Sequence, residues 1–87
     1  MTEIQIRERV RAFIVENFLF GRETTFQDEH SLLEHSIVDS TGILELVSFI
    51  ESELQVPVGH EELLPANLDS VDNIVRFVVD RQATDAP

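Results

Sequence analysis

Apolar residues recur along this chain at helical spacing. Between Thr2 and about Phe18, the positions Ile6, Val10, Phe13, Ile14 and Asn17 fall at that spacing, and Thr2 with Gln5 has the form of a capping box, which predicts a first helix. From Ser40 or Thr41 to about Leu54, a helical step gathers Ile43, Leu46, Val47, Ile50 and Leu54 on one broad face, predicting a central core helix. Pro57 and Gly59 break that pattern. Glu61 to Asp69, with Leu63, Leu64, Pro65 and Leu68, then reads as a short, poorly regular third helix or turn. Ser70 with Asn73 can cap a last helix with Val71, Ile74, Val75 and Val78 as its apolar face, ending near Gln82. The frequent Val and Ile invite a strand over Ile74 to Val79, but the spacing of those four residues favours a helix.

Gly21 and the polar cluster Arg22 to Gln27 close the first helix, and a long connection follows to Val38. Such a connection is uncommon in a compact domain unless its own side chains enter the core. Phe26, Leu32, Leu33 and Ile37 are the expected anchors. Three substantial helices, one short one and this long first loop predict an all-α fold, a small antiparallel four-helix bundle over residues 1–82 followed by a polar tail at 83–87. A length of 87 residues accommodates one domain with one modest core and no second layer of substrate-binding machinery.

Composition narrows the function. Cysteine is absent, so disulfides and thiolate metal sites are excluded and any thiol chemistry must be imported. The run Met1 to Phe13 carries Glu3, Arg7, Glu8, Arg9 and Arg11, unlike a signal peptide, and no stretch approaches bilayer length, so a cytoplasmic location is expected. A net charge of −11 argues against nucleic acid and against anionic membrane surfaces. From Glu23 to Val75 there is no Lys or Arg but twelve acidic residues, and Ser40 lies within that stretch. Acidity alone can serve solubility; an acidic stretch around one serine at a helix start suggests a handle for basic partners.

With Ser40 at 0° on the second helix, the core residues cluster at roughly 220–340°, and Leu44 falls near 40°, outside the core arc. Ser40 and Thr41, with Leu44, Glu45, Ser48 and Glu51, form a candidate docking face on which Leu44 fills a partner's pocket and the carboxylates meet arginine or lysine.

The run Leu33-Glu34-His35-Ser36-Ile37-Val38-Asp39-Ser40, then Glu45-Leu46-Val47, Glu51-Ser52-Glu53-Leu54, the Pro57 break and the Asp69-Ser70-Val71 helix start resemble the acyl carrier and peptidyl carrier protein family over nearly the whole chain. The resemblance implies that Ser40 receives 4′-phosphopantetheine from coenzyme A through a magnesium-dependent phosphopantetheinyl transferase, and that the arm's thiol carries an acyl or aminoacyl thioester. It implies no catalytic residue and no resident metal. The implied partners are the transferase, a loading ligase or adenylation enzyme, and a downstream synthase, dehydrogenase or transferase, all meeting a monomeric carrier. Asp39 either assists the transferase's metal-bound complex and positions the loop, or caps the helix as an N-terminal anion.

Thr41 and Gly42 depart from the family pattern of a leucine and then an acidic residue. Gly42 either bares the surface beside the arm for close approach or marks a frayed helix start. The departure weighs against primary fatty-acid synthesis. The Leu33 to Ser40 flank and the Leu64-Pro65-Ala66-Asn67-Leu68-Asp69-Ser70-Val71 segment look more like stand-alone carriers of specialised pathways of polyketide or nonribosomal-peptide type. The alternatives are a fatty-acid carrier and a non-carrier acidic interaction module in which Ser40 is only an N-cap. A serine hydrolase built on Ser40-Thr41-Gly42 with His35 or His60 fails on size and on the missing first glycine of the elbow. A metal site of His30, His35 and His60 with Asp28 or Glu29 has no recognised spacing.

Overall fold

The computed structural model describes residues 1–19 and 27–85; the expected anchor Phe26, with Gly21 and most of its polar cluster, lies outside them. Four α-helices follow in order: α1 Glu3–Asn17, α2 Ser40–Glu53, α3 Pro65–Leu68 and α4 Val71–Asp85, with a 3-10 turn at His60–Glu62. The described residues contain no strand, and the bundle is that expected from the apolar spacing.

Each helix start has a chemical reason. Thr2 and Gln5 make the reciprocal capping box, the Thr2 hydroxyl accepting the Gln5 amide at 3.2 Å while the Gln5 side chain accepts the Thr2 amide at 2.9 Å. Pro65 occupies the first turn of α3, where its missing N–H costs nothing. The Ser70 hydroxyl accepts the Asn73 amide at 3.1 Å and starts α4, which runs three residues past the expected end, to Asp85. After α2, Gln55 turns the chain in the left-handed region, with φ 57°.

Ile6, Val10 and Ile14 of α1, Leu46 and Ile50 of α2 and Val71, Ile74 and Val78 of α4 are fully buried, each contributing about 1.5–3 kcal/mol through removal from water. Leu54, Val56, Leu68, Val75 and Phe77 are buried with them. On α1, Asn17 is exposed and returns its side-chain amide to the Phe13 carbonyl. On α2 the buried stripe is rotated from expectation: Ile43 and Val47 are half-buried, while Gly42 is buried on the opposite edge of the stripe and Phe49 half-buried.

The connection is anchored by Leu32 and Val38, both buried, with Ile37 half-buried. Leu33 is not an anchor: it is 39% exposed, because consecutive residues leave a tight turn in different directions and Leu32 takes the core. The connection is also held by polar clasps. The Leu32 amide donates to the Asp69 carbonyl at 2.6 Å and the Leu33 amide to the Asp69 carboxylate at 2.9 Å, while Ser31 Oγ donates to the same carboxylate. Farther back, Asp28 accepts from both Arg7 and Arg11, Arg7 also reaches Asp72, and the Asp72 amide donates to the Asp28 carbonyl at 2.9 Å. One arginine pair on α1 thus ties the connection to the start of α4.

Burial alone would push the Asp28 carboxyl up, but hydrogen bonds from Arg7 and Arg11 outweigh it and hold the group below the usual aspartate range. A carboxyl depressed in the folded state adds stability that is complete above the unfolded aspartate value and is lost as pH falls through the lower folded value. Asp28→Asn should therefore cost about 1 kcal/mol in urea unfolding at neutral pH, a modest figure because the pairs are partly exposed. The difference from wild type should shrink as pH drops below the ordinary aspartate range; a difference independent of pH would show that the arginine pair adds nothing.

Candidate functional site

Ser40 is placed by what surrounds its backbone. Ser36 adopts φ 56°, and the Ile37 and Val38 amides both donate to the Leu32 carbonyl, at 2.9 and 3.1 Å, so the chain folds tightly before α2. Val38 then enters the core and Asp39 returns to extended backbone as the N-cap of α2. Its Oδ1 accepts the Gly42 amide at 2.7 Å. Capping therefore belongs to Asp39, not to Ser40, and the reading of Ser40 as a mere cap loses its basis. Ser40 is the first helical residue and is exposed. With the Gly42 amide taken by the cap, the amides of Ser40 and Thr41 are those left at the positive end of the helix.

Gly42 fits neither of its two sequence readings. It is buried in a regular first turn, and a Cβ there would come within 2.8 Å of both Phe18 Cε1 and Val38 Cγ1. Glycine lets the start of α2 lie directly against the end of α1. The residue is thus explained by packing, and its departure from the family pattern says nothing about the pathway.

Beside Ser40 a cleft of about 170 Å³ opens between α2 and the third segment. It is lined by Ser40 and Ile43 of α2, by Leu63, Leu64, Pro65, Leu68 and Asp69, and by Leu33 of the connection. Leu33 and Leu64, 39% and 52% exposed, are large apolar residues left partly in water here. The sequence reading missed both as site residues. The signal for Leu64 was present, since adjacent Leu63 and Leu64 before a proline cannot both face the core; Leu33 depends on Asp69, 36 residues away, and had no local signal.

Thr41, Leu44, Glu45, Ser48 and Glu51 are all exposed, Leu44 at 59%. They do not share one concavity. Glu45 and Ser48 line a furrow between α1 and α2, whereas Ser40 lines the cleft toward α3. The Glu51 carboxylate accepts the Val58 amide at 3.1 Å, which orders the chain after α2. His30 and His35 stack ring on ring, centroids 4.5 Å apart, and His60 lies in the 3-10 turn. Among the described residues no group of three or more His, Cys, Asp and Glu could hold a metal ion, and no helix is long and apolar enough to cross a membrane.

No family model matches the chain. Among curated proteins it is similar to the probable acyl carrier protein PigG of Serratia sp., 37% identical over 65 residues, which span 75% of this chain and 75% of that protein.

Gly42→Ala sets two effects against each other. Alanine gains about 1 kcal/mol of helix propensity, but its methyl collides with the Phe18 ring and with Val38, and overpacking of this kind costs about 1–3 kcal/mol. Because Val38 is buried and cannot withdraw, the expected outcome is net destabilisation by urea unfolding, while Thr41→Ala one residue earlier is near neutral. A Gly42→Ala chain as stable as wild type would show that the two helices are not in the contact described.

Proposed function

The chain belongs to the acyl carrier protein family, and from that premise we propose that Ser40 is its attachment point for 4′-phosphopantetheine. The observation that supports this most directly is Ser40 itself, an exposed hydroxyl at the first position of α2 whose capping role is already filled by Asp39. In the attachment, Ser40 Oγ forms a new ester bond to the phosphate of coenzyme A, the pyrophosphate P–O bond breaks, and 3′,5′-ADP leaves. The serine proton passes to a base of the transferase.

The surroundings suit a phosphodiester. The free amides of the first turn and the helix dipole favour negative charge near Ser40. Asp39 would oppose that charge if its carboxylate faced the phosphate, but Oδ1 is turned to the Gly42 amide. When attached, the arm supplies the thiol that a chain without cysteine lacks. Ile43, Leu63, Leu64 and Leu68 offer an apolar wall against which part of a tethered group can rest out of water. The chain's work is to hold its cargo at high effective concentration and release it between partners, with no catalysis of its own.

The cargo in this reading is an acyl or aminoacyl group, delivered by a loading ligase or adenylation enzyme and passed to a downstream synthase, dehydrogenase or transferase. A specialised pathway rests on the likeness of the Leu33 to Ser40 flank and of the Leu64 to Val71 segment. Thr41, Leu44, Glu45, Ser48 and Glu51 present one apolar side chain and two carboxylates to those enzymes, a combination that gives fast, weak and salt-sensitive docking.

Incubation with coenzyme A and a broad-specificity phosphopantetheinyl transferase should add the mass of one phosphopantetheine, and Ser40→Ala should abolish the addition. An unmodified chain, or an adduct that persists in Ser40→Ala, would overturn the assignment. Leu44→Ala and Glu45→Lys should each slow the transfer by about tenfold, the effect of losing a contact worth 1–2 kcal/mol at an interface. Helical circular dichroism should be unchanged in both, because both residues are exposed.

A further inference from the structure

Helices α1 and α2 run antiparallel, since Phe13 meets Phe49 while the later Phe18 meets the earlier Gly42. Elsewhere they stand apart, and the furrow between them is an open hollow of about 570 Å³ that shares no lining residue with the Ser40 cleft. Its floor is the stacked pair Phe13 and Phe49, ring centroids 4.3 Å apart with 21° between their planes, both only half-buried. Partly wet aromatic surface at the base of a groove is surface the fold has not covered. The rim carries Glu16, Glu45 and Glu53 against a single cation, Arg9, all exposed.

This combination selects its occupant. An acidic rim repels phosphates and nucleic acid. It also disfavours a second copy of the chain, because a two-fold contact would bring the same three carboxylates together. An aromatic floor beneath carboxylates matches a cationic amphipathic segment laid along the groove, with an apolar residue as anchor and Arg or Lys on its flanks. We propose that the α1–α2 furrow docks such a segment of a partner protein, an apolar side chain resting on Phe13 and Phe49 and basic side chains meeting Glu16, Glu45 and Glu53. A segment held here leaves Ser40 and Leu44 uncovered, although it shares Glu45 and Ser48 with the docking face proposed above. Phe13 also packs edge-on to Phe18 at 5.8 Å, and Phe18 lies over Gly42, so occupancy reaches the start of α2 through packed rings.

The proposal does not rest on modification of Ser40, and its test is run on wild-type chain and on Ser40→Ala in parallel. A synthetic helical peptide with a leucine ridge flanked by arginines is titrated into the isotope-labelled full chain, and amide shifts are followed by NMR. Shifts should concentrate at Ala12, Phe13, Glu16, Phe49 and Ser52, alike in both chains. Glu16→Lys with Glu53→Lys should weaken binding by about tenfold or more, while Glu34→Lys with Glu61→Lys, an equal change of charge at exposed positions outside the furrow, should weaken it less than about threefold. Equal weakening in the two double variants would reduce the effect to net charge and overturn the proposal. So would shifts gathered at Leu33, Ser40 and Leu64, or a peptide-free chain that sediments as a dimer through the furrow.

Discussion

The segment leading into α2 has no regular structure of its own, and its course depends on two carboxylates supplied from opposite directions. Asp69, between α3 and α4, takes the Ser31 hydroxyl and the Leu33 amide on its side chain and the Leu32 amide on its carbonyl. Asp28, in the connection itself, is gripped by Arg7 and Arg11 and joined through its carbonyl to Asp72. Both clasps fasten the connection to the start of α4, which is the most deeply buried helix. From there Leu32 and Val38 reach the core, and the direction in which Val38 enters fixes where Asp39 and Ser40 emerge. The exposed serine is therefore positioned by interactions that none of its own atoms make. Net gains of about 1 kcal/mol each for the exposed pairs and more for the buried amides suffice, because the alternative is a loop free to wander.

A second constraint acts on the other side of Ser40. Gly42 allows α2 to touch Phe18, and the same ring stands edge-on to Phe13, which stacks on Phe49. Three phenyl rings and one missing side chain thus join two antiparallel helices that meet at few other points. Close packing at the Ser40 end and an open furrow over the Phe13–Phe49 pair follow from the same fact: the helices are spaced by rings there and by backbone at Gly42. A larger residue at Gly42 would pry open the closed end, where the serine is presented.

How much of this was readable in the chain depends on the range of the interaction responsible. The capping box at Thr2 and Gln5, the Ser70 cap and the core residues of α4 are local and legible in the chain. Gly42 was noticed as a departure, but its reason lies in Phe18, which is distant in sequence and reached only through the fold. Leu32 and Leu33 both read as anchors because hydrophobicity alone cannot show that a turn buries only one of two adjacent leucines; the Asp69 contacts decide it. The Arg7–Asp28–Asp72 network spans 65 residues and has no periodicity to reveal it. Phe49 does not stand out in the apolar pattern because it sits at the edge of the helical stripe, where burial is decided by a neighbour, here Phe13, rather than by the helix itself.

The arrangement of charge follows from the same network. The described ion pairs place Arg7 and Arg11 on Asp28 and Asp72, and Arg81 on Glu62, so these cations serve the joints between α1, the connection and α4, and between the 3-10 turn and α4. Among the described residues none of these pairs involves α2. Its carboxylates Glu45 and Glu53 keep their charge toward solvent, on the helix that carries Ser40 and forms one bank of the furrow. A net charge of −11 spread evenly would attract any basic surface equally. Neutralising the α1–α4 side and leaving α2 acidic instead gives the field a direction, with its negative lobe over the helix where the hydroxyl and the apolar clefts lie.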